Sequence, residues 1–252
     1  MRIRRLESHA DLLAVATADH LVSASLEPYQ FTVAWAGGDG TVAFGGSDRG
    51  PGLVEWLTVI GAGASELLSR ALAELPCPPQ GISVPRGTDL GGLRLTGYEQ
   101  WDQMVRSRDA GIMARLPGEA RVLVSAPDPL VDKEIRELLA LANPTHSVRP
   151  GDSEIELWAV VRDEAGALVG CGAYCRRGGV GWLASIATLP SARAQGIGAA
   201  VSARLTRHSL SAGDRLCALH HWHPNESARR IYLGLGYTTT HRMTSGEIDC
   251  AA

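Results

Sequence analysis

The sequence RAQGIG, at residues 193–198, is the most informative stretch of this chain. It follows an apolar segment, residues 182–188, that is typical of a strand, and it opens a segment with helical spacing that ends before Gly213. A glycine-rich turn at the start of a helix exposes backbone N–H groups where the helix dipole favours negative charge. The stretch therefore predicts a loop that binds a phosphate or pyrophosphate.

Glycine spacing alone is a weak signal in a chain with 29 glycines. A second Gly-x-Gly, at Gly179 and Gly181, even has an arginine, Arg176, at the matching offset. That pattern lies between two predicted strands, where glycines satisfy turn geometry. Only the loop at 193–198 opens a predicted helix, as a phosphate loop requires.

A second pattern runs from Asn225 to Tyr237 and reads Asn-x-x-Ala-x-x-x-Tyr-x-x-x-Gly-Tyr. Asparagine occurs only at positions 143 and 225, so background composition does not explain the pattern. Together, the loop and this pattern resemble the GNAT superfamily of acyl-CoA N-acyltransferases, which combine an Arg/Gln-x-x-Gly-x-Gly/Ala loop with the same Asn, Ala, Tyr and Gly spacing. The resemblance covers about residues 120–245.

The elements predicted from this region agree with the resemblance. Apolar runs and turn signals predict strands, and apolar residues at helical spacing predict helices. The predicted order is strand 122–124, helix 132–142, strands 155–161, 167–174 and 182–188, helix 198–212, strand 216–220 and helix 225–235. The resemblance implies an α/β (α+β) fold, with a mixed, mostly antiparallel sheet flanked by helices.

The resemblance also implies where acetyl-CoA binds. Backbone groups of Ile186 and Thr188 would pair with the pantetheine arm as though it were an added strand. Asn225 would contact the cofactor arm or cap the last helix. The loop residues that would bind the pyrophosphate are Arg193, at its entrance, with Ala194, Gln195, Gly196, Ile197, Gly198 and Ala199.

Tyr232 is the candidate catalytic residue, and the resemblance places it near the thioester sulfur. In a direct transfer the amine attacks the thioester carbonyl, whose oxygen is polarised by a backbone N–H of the central strand. Since a thiol has a pKa of about 8.5 and a tyrosine of about 10, Tyr232 can pass its proton to the leaving sulfur at moderate cost. The structural alternative is a core aromatic residue on an amphipathic helix.

No residue stands out by spacing as the general base. His220, His221 and His223 lie at the end of the strand before Asn225, and we interpret them as surface or substrate-lining residues. Adjacent strand residues point to opposite faces, so we predict no metal site there. Other candidates for the acceptor pocket or the base, each also explained by a turn or a solvated strand face, are His146, Arg149, Asp152, Glu154 and Glu156.

The first half of the chain repeats this order more faintly. It has a predicted hairpin at 31–44, a strand at 53–60, a helix at 64–75, a loop-rich segment at 81–92 and a helix at 101–113. The loop equivalent to 193–198 reads Gly-Ala-Gly-Ala-Ser from Gly61 and lacks the arginine. We therefore expect residues 1–117 to be a degenerate GNAT-like or substrate-shaping domain without a CoA site, and residues 118–252 to be the catalytic domain.

Charge, hydropathy and cysteine content indicate the kind of partner and the cellular compartment that we expect for this protein. The 24 basic and 27 acidic residues give a net charge of -3, which argues against a nucleic-acid or membrane-surface partner. We find no apolar run of membrane-spanning length and no leader segment. The odd number of cysteines fits a reducing compartment, and Cys171 and Cys175 read as small buried hydrophobic residues. We expect a cytoplasmic monomer or homodimer, and the single lysine, Lys133, suggests a GC-rich bacterial genome.

Taken together, the motifs predict an N-acetyltransferase that moves the acetyl group of acetyl-CoA directly to an amine. The candidate acceptors are a small molecule, an amino acid and a protein amine. The near-neutral net charge of the chain does not favour one of these classes over the others. The alternative is a non-catalytic module that senses acyl-CoA or binds a partner. The presence of Tyr232 argues against that alternative.

Overall fold

The structure is a computed structural model that describes residues 2–17, 19–25, 31–47 and 53–249. The chain divides into two compact units. Unit 1 comprises Met1–Gln103, Trp222–Pro224 and His241–Ala252, and unit 2 comprises Met104–His221 and Asn225–Thr240. Neither unit is one continuous segment, whereas the sequence predicted a single boundary between residues 117 and 118.

The segment before residue 118 belongs to unit 2 because side chains of that unit hold it. Arg207 donates hydrogen bonds to the carbonyl oxygens of Met113 (3.2 Å) and Ala114 (3.4 Å). Glu119 accepts from the backbone N–H of Leu116 (2.6 Å) and pairs with Arg207 (3.2 Å). These contacts join residues far apart in sequence, so a composition shift at a linker does not reveal them.

The described residues of unit 1 form a sheet of mixed direction with three α-helices. Its elements are β1 (Ile3–Leu6), α1 (His9–Val15), α2 (His20–Ser25), β2 (Phe31–Gly37), β3 (Val42–Gly46), β4 (Trp56–Ile60), α3 (Ala64–Glu74), β5 (Gly81–Pro85), the start of β6 (Leu95–Ser107) and the end of β12 (Thr238–Ile248). Strands β1 to β4 pair antiparallel in sequence order, and β5 pairs parallel with β4. The predicted hairpin, strand and helix of this half are confirmed.

Unit 2 has the mixed, mostly antiparallel sheet that the sequence predicts. Its elements are the end of β6, then β7 (Leu123–Ser125), α4 (Pro129–Ala142), β8 (Ile155–Arg162), β9 (Leu168–Arg177), β10 (Val180–Thr188), α5 (Ile197–Ser211), β11 (Leu216–Trp222), α6 (Glu226–Gly234) and the start of β12 (Thr238–Ile248). Strands β7 to β10 pair antiparallel, and β11 pairs parallel with β10. Helices α4 and α5 pack on this sheet, and the predicted fold class is confirmed.

Two predictions for residues 81–113 are wrong. The helix predicted at 101–113 is strand β6 as far as Ser107, and the loop predicted at 81–92 contains strand β5. Residues 102–106 are all buried, so this part of β6 lacks the alternation of buried and exposed residues that reveals a half-exposed strand. Strand β5 is stabilised by antiparallel pairing with β12, a partner far along the chain.

Two glycines of β9 let α5 lie close to the sheet. A Cβ atom added at Gly170 would stand 2.4 Å from Ile197 Cγ2, and one added at Gly172 would stand 2.8 Å from Val201 Cγ1. Both distances are shorter than carbon atoms tolerate, so larger residues would push the helix away. Because Ile197 is the first residue of α5, this packing also positions the loop at 193–198.

The Gly179 and Gly181 pattern has a structural explanation. Asp214 is buried and accepts hydrogen bonds from Tyr174 (2.6 Å), Ser209 (2.8 Å) and Arg176 (3.0 Å). A Cβ atom added at Gly181 would stand 2.0 Å from Ser209 Oγ and 2.4 Å from an Asp214 oxygen. Gly181 therefore makes room for a buried polar network that joins β9, the end of α5 and the residues before β11.

We predict that Gly170→Ala lowers the free energy of unfolding by about 1–3 kcal/mol, because the new methyl group overlaps Ile197. Urea unfolding measures the change. The control is Gly234→Ala, since a Cβ atom added there meets nothing within 4 Å. Adding Ile197→Ala to Gly170→Ala should give a loss smaller than the sum of the two single losses. Strict additivity would show that the two residues do not interact.

Unit 1 contains a carboxylate whose charge stabilises the fold. Asp19 accepts from Leu21 N (2.9 Å) and Val22 N (3.2 Å) and lies 3.0 Å from His241 Nε2. Burial by itself raises the pKa of Asp19, but the hydrogen bond and charge of His241 and the two backbone N–H groups outweigh burial. The pKa of Asp19 therefore lies below its ordinary value of 3.8.

This lowered pKa predicts a pH dependence of stability. The stabilisation from ionised Asp19 is complete above its unfolded pKa of about 4 and is lost as the pH falls through the lower folded value. Asp19→Asn should reduce the free energy of unfolding by about 1 kcal/mol near neutral pH, and the difference from wild type should shrink toward about pH 2. Urea titrations across this range measure it, with the exposed Glu99→Gln as control. A constant difference at every pH would contradict the prediction.

Candidate active site

The site begins at an interruption of strand β10. Its pairing with β9 shifts register between Ala184 and Ala187, and Ser185 between them has a left-handed backbone with φ of +50°. Such a conformation costs a residue with a Cβ atom about 1–2 kcal/mol. The interruption is a β-bulge, which bends a strand and redirects its backbone groups.

Strand β10 also separates from its parallel neighbour β11. In the described residues of unit 2, two residue pairs join β10 and β11, namely Gly181 with Cys217 and Trp182 with Ala218. Strand β10 continues to Thr188 and β11 continues to Trp222, so the two strands diverge beyond these pairs. The predicted contact residues Ile186 and Thr188 both lie in the diverging part of β10 and are half-buried. Backbone groups along this edge can pair with an extended ligand.

The glycine-rich loop lies where β10 leads into α5. A 3₁₀ turn, Pro190–Ala192, follows the strand, and residues 193–196 are exposed. Ala194 and Gly196 both have positive φ, at 62° and 76°. The first intrahelical bond joins the Ala200 N–H to the Gly196 oxygen (2.9 Å), so the amides of residues 197–199 precede the helical pattern. Exposed amides at a helix N-terminus form a cradle for an anion.

The two loop glycines serve different purposes. A Cβ atom added at Gly196 meets nothing within 4 Å, so the positive φ, and not lack of space, favours glycine there. A Cβ atom added at Gly198 would lie 3.6 Å from Thr188 Oγ1 and 3.7 Å from Ile231 Cδ1, which is ordinary contact. Arg193 is exposed, and its Nε lies 3.4 Å from the Thr188 oxygen. The space above Gly196 is open to a ligand.

Helix α6 presents Asn225 and Tyr232, the two predicted residues of the second motif. Asn225 Oδ1 accepts from Ala228 N (3.1 Å), so Asn225 is the N-cap of α6, one of its two predicted roles. Tyr232 is buried, and its ring lies 6.0 Å from the rings of both His221 and Tyr237. Burial raises the pKa of Tyr232 well above the ordinary value of a phenol, so its hydroxyl stays protonated at neutral pH.

Arg106 is a residue of the site that the sequence did not single out. It is buried and donates to the carbonyl oxygens of Leu235 (2.9 Å) and Gly111 (2.8 Å). A Cβ atom added at Gly236 would stand 2.0 Å from Arg106 Nη1, so the motif glycine leaves room for this guanidinium. A cation at the C-terminal end of a helix is stabilising, and here it holds the helix that carries Tyr232. No sequence signal marked Arg106, because it lies in the segment misread as a helix.

The histidines His220 and His221, at the end of β11, and His223, just after it, each contact different groups. The ring of His220 lies 5.5 Å from the ring of Trp182, and His221 contacts Tyr232. Burial, followed by the charges of Arg177 and His221, lowers the pKa of His220 to about 4. His223 belongs to unit 1, where its Nδ1 lies 3.1 Å from Arg86 Nη1. The described residues contain no group of three or more His, Cys, Asp or Glu arranged to hold a metal ion.

The candidate carboxylates of unit 2 are bound by nearby groups. Glu154 makes two hydrogen bonds to Arg177, at 2.7 and 2.6 Å, and Glu156 lies 3.5 Å from Arg176. Asp152 accepts from the backbone N–H of Arg149 (2.7 Å). These contacts match the turn and strand-face interpretations of the three residues. His146 is similarly engaged, with its Nδ1 2.8 Å from the Asn143 oxygen.

The described cysteines of unit 2 are buried thiols. Cys171, Cys175 and Cys217 are each fully buried, and burial raises the pKa of each to about 12. A thiol with such a pKa is protonated at neutral pH and is a poor nucleophile. The prediction that Cys171 and Cys175 are small buried residues is confirmed, and Cys250 lies outside the described residues.

Comparison with known proteins agrees with this geometry. Residues 130–237 match the model of the acetyltransferase (GNAT) family. No curated protein matches the chain. None of the described helices is long and apolar enough to cross a membrane.

Solved structures share the fold over nearly the whole chain. A GCN5-related N-acetyltransferase from Sphaerobacter thermophilus is 17% identical, with a TM-score of 0.61, and the match covers 97% of this chain and 95% of that one. An acetyltransferase of the GNAT family from Colwellia psychrerythraea is 13% identical, covers 99% and 100%, and has a TM-score of 0.56. A tandem GNAT protein from the clavulanic acid biosynthesis pathway is 11% identical, covers 98% of both chains, and has a TM-score of 0.51.

At these identities the structures show a shared fold, and the family match adds the class of chemistry. The matched segment contains the bulged strand β10, the loop at 193–198 and helix α6 with Tyr232. Residues 130–237 therefore match the GNAT acetyltransferase family, and this match supports acyl transfer as the class of chemistry.

Proposed function

We propose that unit 2 transfers the acetyl group of acetyl-CoA directly to an amine. The observation that carries this proposal is the divergence of β10 from β11 beside an exposed loop of backbone amides. An extended arm with a pyrophosphate at one end and a thioester at the other fits such an arrangement. The arm would pair with the free edge of β10, and the pyrophosphate would lie at the start of α5.

The residues of the loop would bind acetyl-CoA mainly through their backbones. Amides from Ala194 to Ala199 would bind the pyrophosphate, and the positive end of the α5 dipole favours the phosphate charge. A Cβ atom added at Gly196 meets nothing within 4 Å, so this part of the loop has room for a ligand. Arg193 would add a positive charge at the entrance. Backbone groups near Ile186 would align the pantetheine arm and polarise the thioester oxygen, as an oxyanion hole does.

Tyr232 would supply the proton for the departing sulfur. The hydroxyl is protonated at neutral pH, and its proton would move from the phenol oxygen to sulfur as the carbon–sulfur bond breaks. Because burial raises the pKa of Tyr232, this transfer costs more than it would for an exposed tyrosine. The attacking amine must lose a proton. His220 is a weak base because of its low pKa, and Glu154 is held by Arg177, so we infer that this proton passes to water.

We further propose that unit 1 is a degenerate GNAT-like unit without a CoA site. The backbone N–H of Gly63, at the start of α3, donates to Thr41 Oγ1 (2.9 Å), and Thr41 Oγ1 donates to Asp39 (2.9 Å). The Thr41 hydroxyl therefore already accepts from the Gly63 amide, which a phosphate would need as a donor. The Asp39 carboxylate is bonded to the same hydroxyl. Two bonds from Thr41 lower the pKa of Asp39, so its negative charge would repel a phosphate at neutral pH.

We predict that Tyr232→Phe lowers kcat for acetyl transfer by about 100-fold or more while changing the acetyl-CoA dissociation constant only slightly, because only the proton donor is lost. Thiol release over a panel of amines measures kcat, and calorimetry measures binding. The control is Tyr237→Phe, which removes a buried hydroxyl that bonds Thr206 and Cys217. It should cost about 1 kcal/mol of stability and leave kcat nearly intact.

Two outcomes would contradict this mechanism. Unchanged turnover in Tyr232→Phe would remove Tyr232 from the reaction. If wild-type protein binds acetyl-CoA but turns over no amine, the alternative of a non-catalytic acyl-CoA-binding module is favoured.

The same substitution in the two loops tests which unit binds CoA. Ala194→Glu and Ala62→Glu each place a carboxylate at an exposed position of the respective loop. We predict that calorimetric titration with CoA gives one site per chain. Ala194→Glu should weaken binding at least about 10-fold through charge repulsion, and Ala62→Glu should leave it unchanged. Two sites, or equal effects of both variants, would contradict the assignment to unit 2.

A further inference from the structure

A buried serine joins the bulge of β10 to the loop between α4 and β8. Ser185 Oγ donates to the Val148 oxygen (2.6 Å) and accepts from the Val148 N–H (3.2 Å). Both residues are buried, and Val148 lies in the loop of residues 143–154. A single hydroxyl therefore satisfies both backbone polar groups of one loop residue, groups that would be costly to leave unpaired in the interior.

The same serine has the backbone conformation that interrupts β10. With φ of +50° it occupies the left-handed region, which glycine adopts far more easily. Glycine would remove the strain, but it has no hydroxyl to bond Val148. The two hydrogen bonds to Val148 need a serine hydroxyl, although the left-handed backbone of the bulge disfavours serine. Those bonds in turn stabilise the bulge.

We infer that Ser185 is a positioning residue that couples the donor edge of β10 to the loop at 143–154. The inference rests on the proposed function. Ser185 bonds the loop at Val148, and the bulge that contains Ser185 lies in the part of β10 that diverges from β11. A donor paired with the β10 edge therefore stabilises the loop, and an ordered loop strengthens donor binding by the same factor.

We place the acceptor at this loop because the loop presents polar groups next to the bulge. Residues 143–154 contain His146, Arg149 and Asp152, and Arg149 and Asp152 are exposed. Their backbone is held at Val148 by a side chain of the donor strand. An amine that contacts the loop would therefore be positioned relative to the thioester by the Ser185 and Val148 pair, without contact between Ser185 and either substrate.

Two variants of Ser185 separate the effect of its hydroxyl from the effect of the backbone strain, and a third variant is the control. Ser185→Gly removes the hydroxyl and the strain, and Ser185→Ala removes the hydroxyl but keeps the strain. Thr206→Val is the matched control, because it removes another fully buried hydroxyl of unit 2 that makes two hydrogen bonds. The measurements are amide hydrogen exchange of Val148 with and without CoA, and the dissociation constant of CoA by calorimetry.

In wild type, saturating CoA should slow exchange of the Val148 amide. In Ser185→Gly and Ser185→Ala this amide should exchange at least tenfold faster, and CoA should no longer slow it, whereas Thr206→Val should behave as wild type. Ser185→Ala should bind CoA more weakly than Ser185→Gly, since its bulge is strained and unsupported. A merely structural role for the hydroxyl does not predict this order of affinities.

Wild-type exchange of Val148 in Ser185→Gly, or equal CoA affinity in the glycine and alanine variants, would overturn the inference. Failure of the proposed function gives a different result, namely that wild-type protein binds no CoA. In that case Val148 exchange in Ser185→Gly against Thr206→Val still decides whether Ser185 holds the loop.

Discussion

The site of this enzyme depends on one interrupted strand. At Ser185 the backbone of β10 is left-handed, and pairing with β11 ends at Trp182. In a regular parallel sheet both edges of an interior strand are hydrogen-bonded to neighbours, which leaves no backbone group for a ligand. The divergence therefore provides a free strand edge inside the sheet. The loop at 193–198 and the Tyr232 helix belong to the same unit, so the proposed donor site lies within unit 2.

Close packing explains why the loop has its position. Glycines at 170 and 172 bring the first turns of α5 against β9, and Arg106 holds the C-terminal end of α6 in the space that Gly236 leaves. Each contact joins a residue without a side chain to a bulky partner. The glycines of this domain thus have three roles. Gly196 adopts a positive φ in the loop, Gly170 and Gly172 leave room for α5, and Gly236 leaves room for the buried Arg106.

The amides at the starts of α3 and α5 have different surroundings in the two units. In unit 1 the Gly63 amide already has a hydrogen-bond partner in Thr41, with Asp39 behind it. In unit 2 the loop is exposed and follows a strand that diverges from its neighbour. The difference lies in which side chains occupy the space before the helix, and it sets the electrostatic potential that an anion meets.

The local patterns of the chain predicted the elements of residues 122–236 and gave the N-cap as one of two roles for Asn225, because turn residues, caps and helical periodicity act over a few positions. The burial of Tyr232 was the alternative to its predicted catalytic role. Only the tertiary structure decided that residues 102–106 form a buried strand, that Arg106 supports α6, and that Ser185 bonds Val148. Those contacts join residues distant in sequence. A strand buried on both faces has no alternating pattern, and a hydroxyl that bonds a remote backbone leaves no local trace.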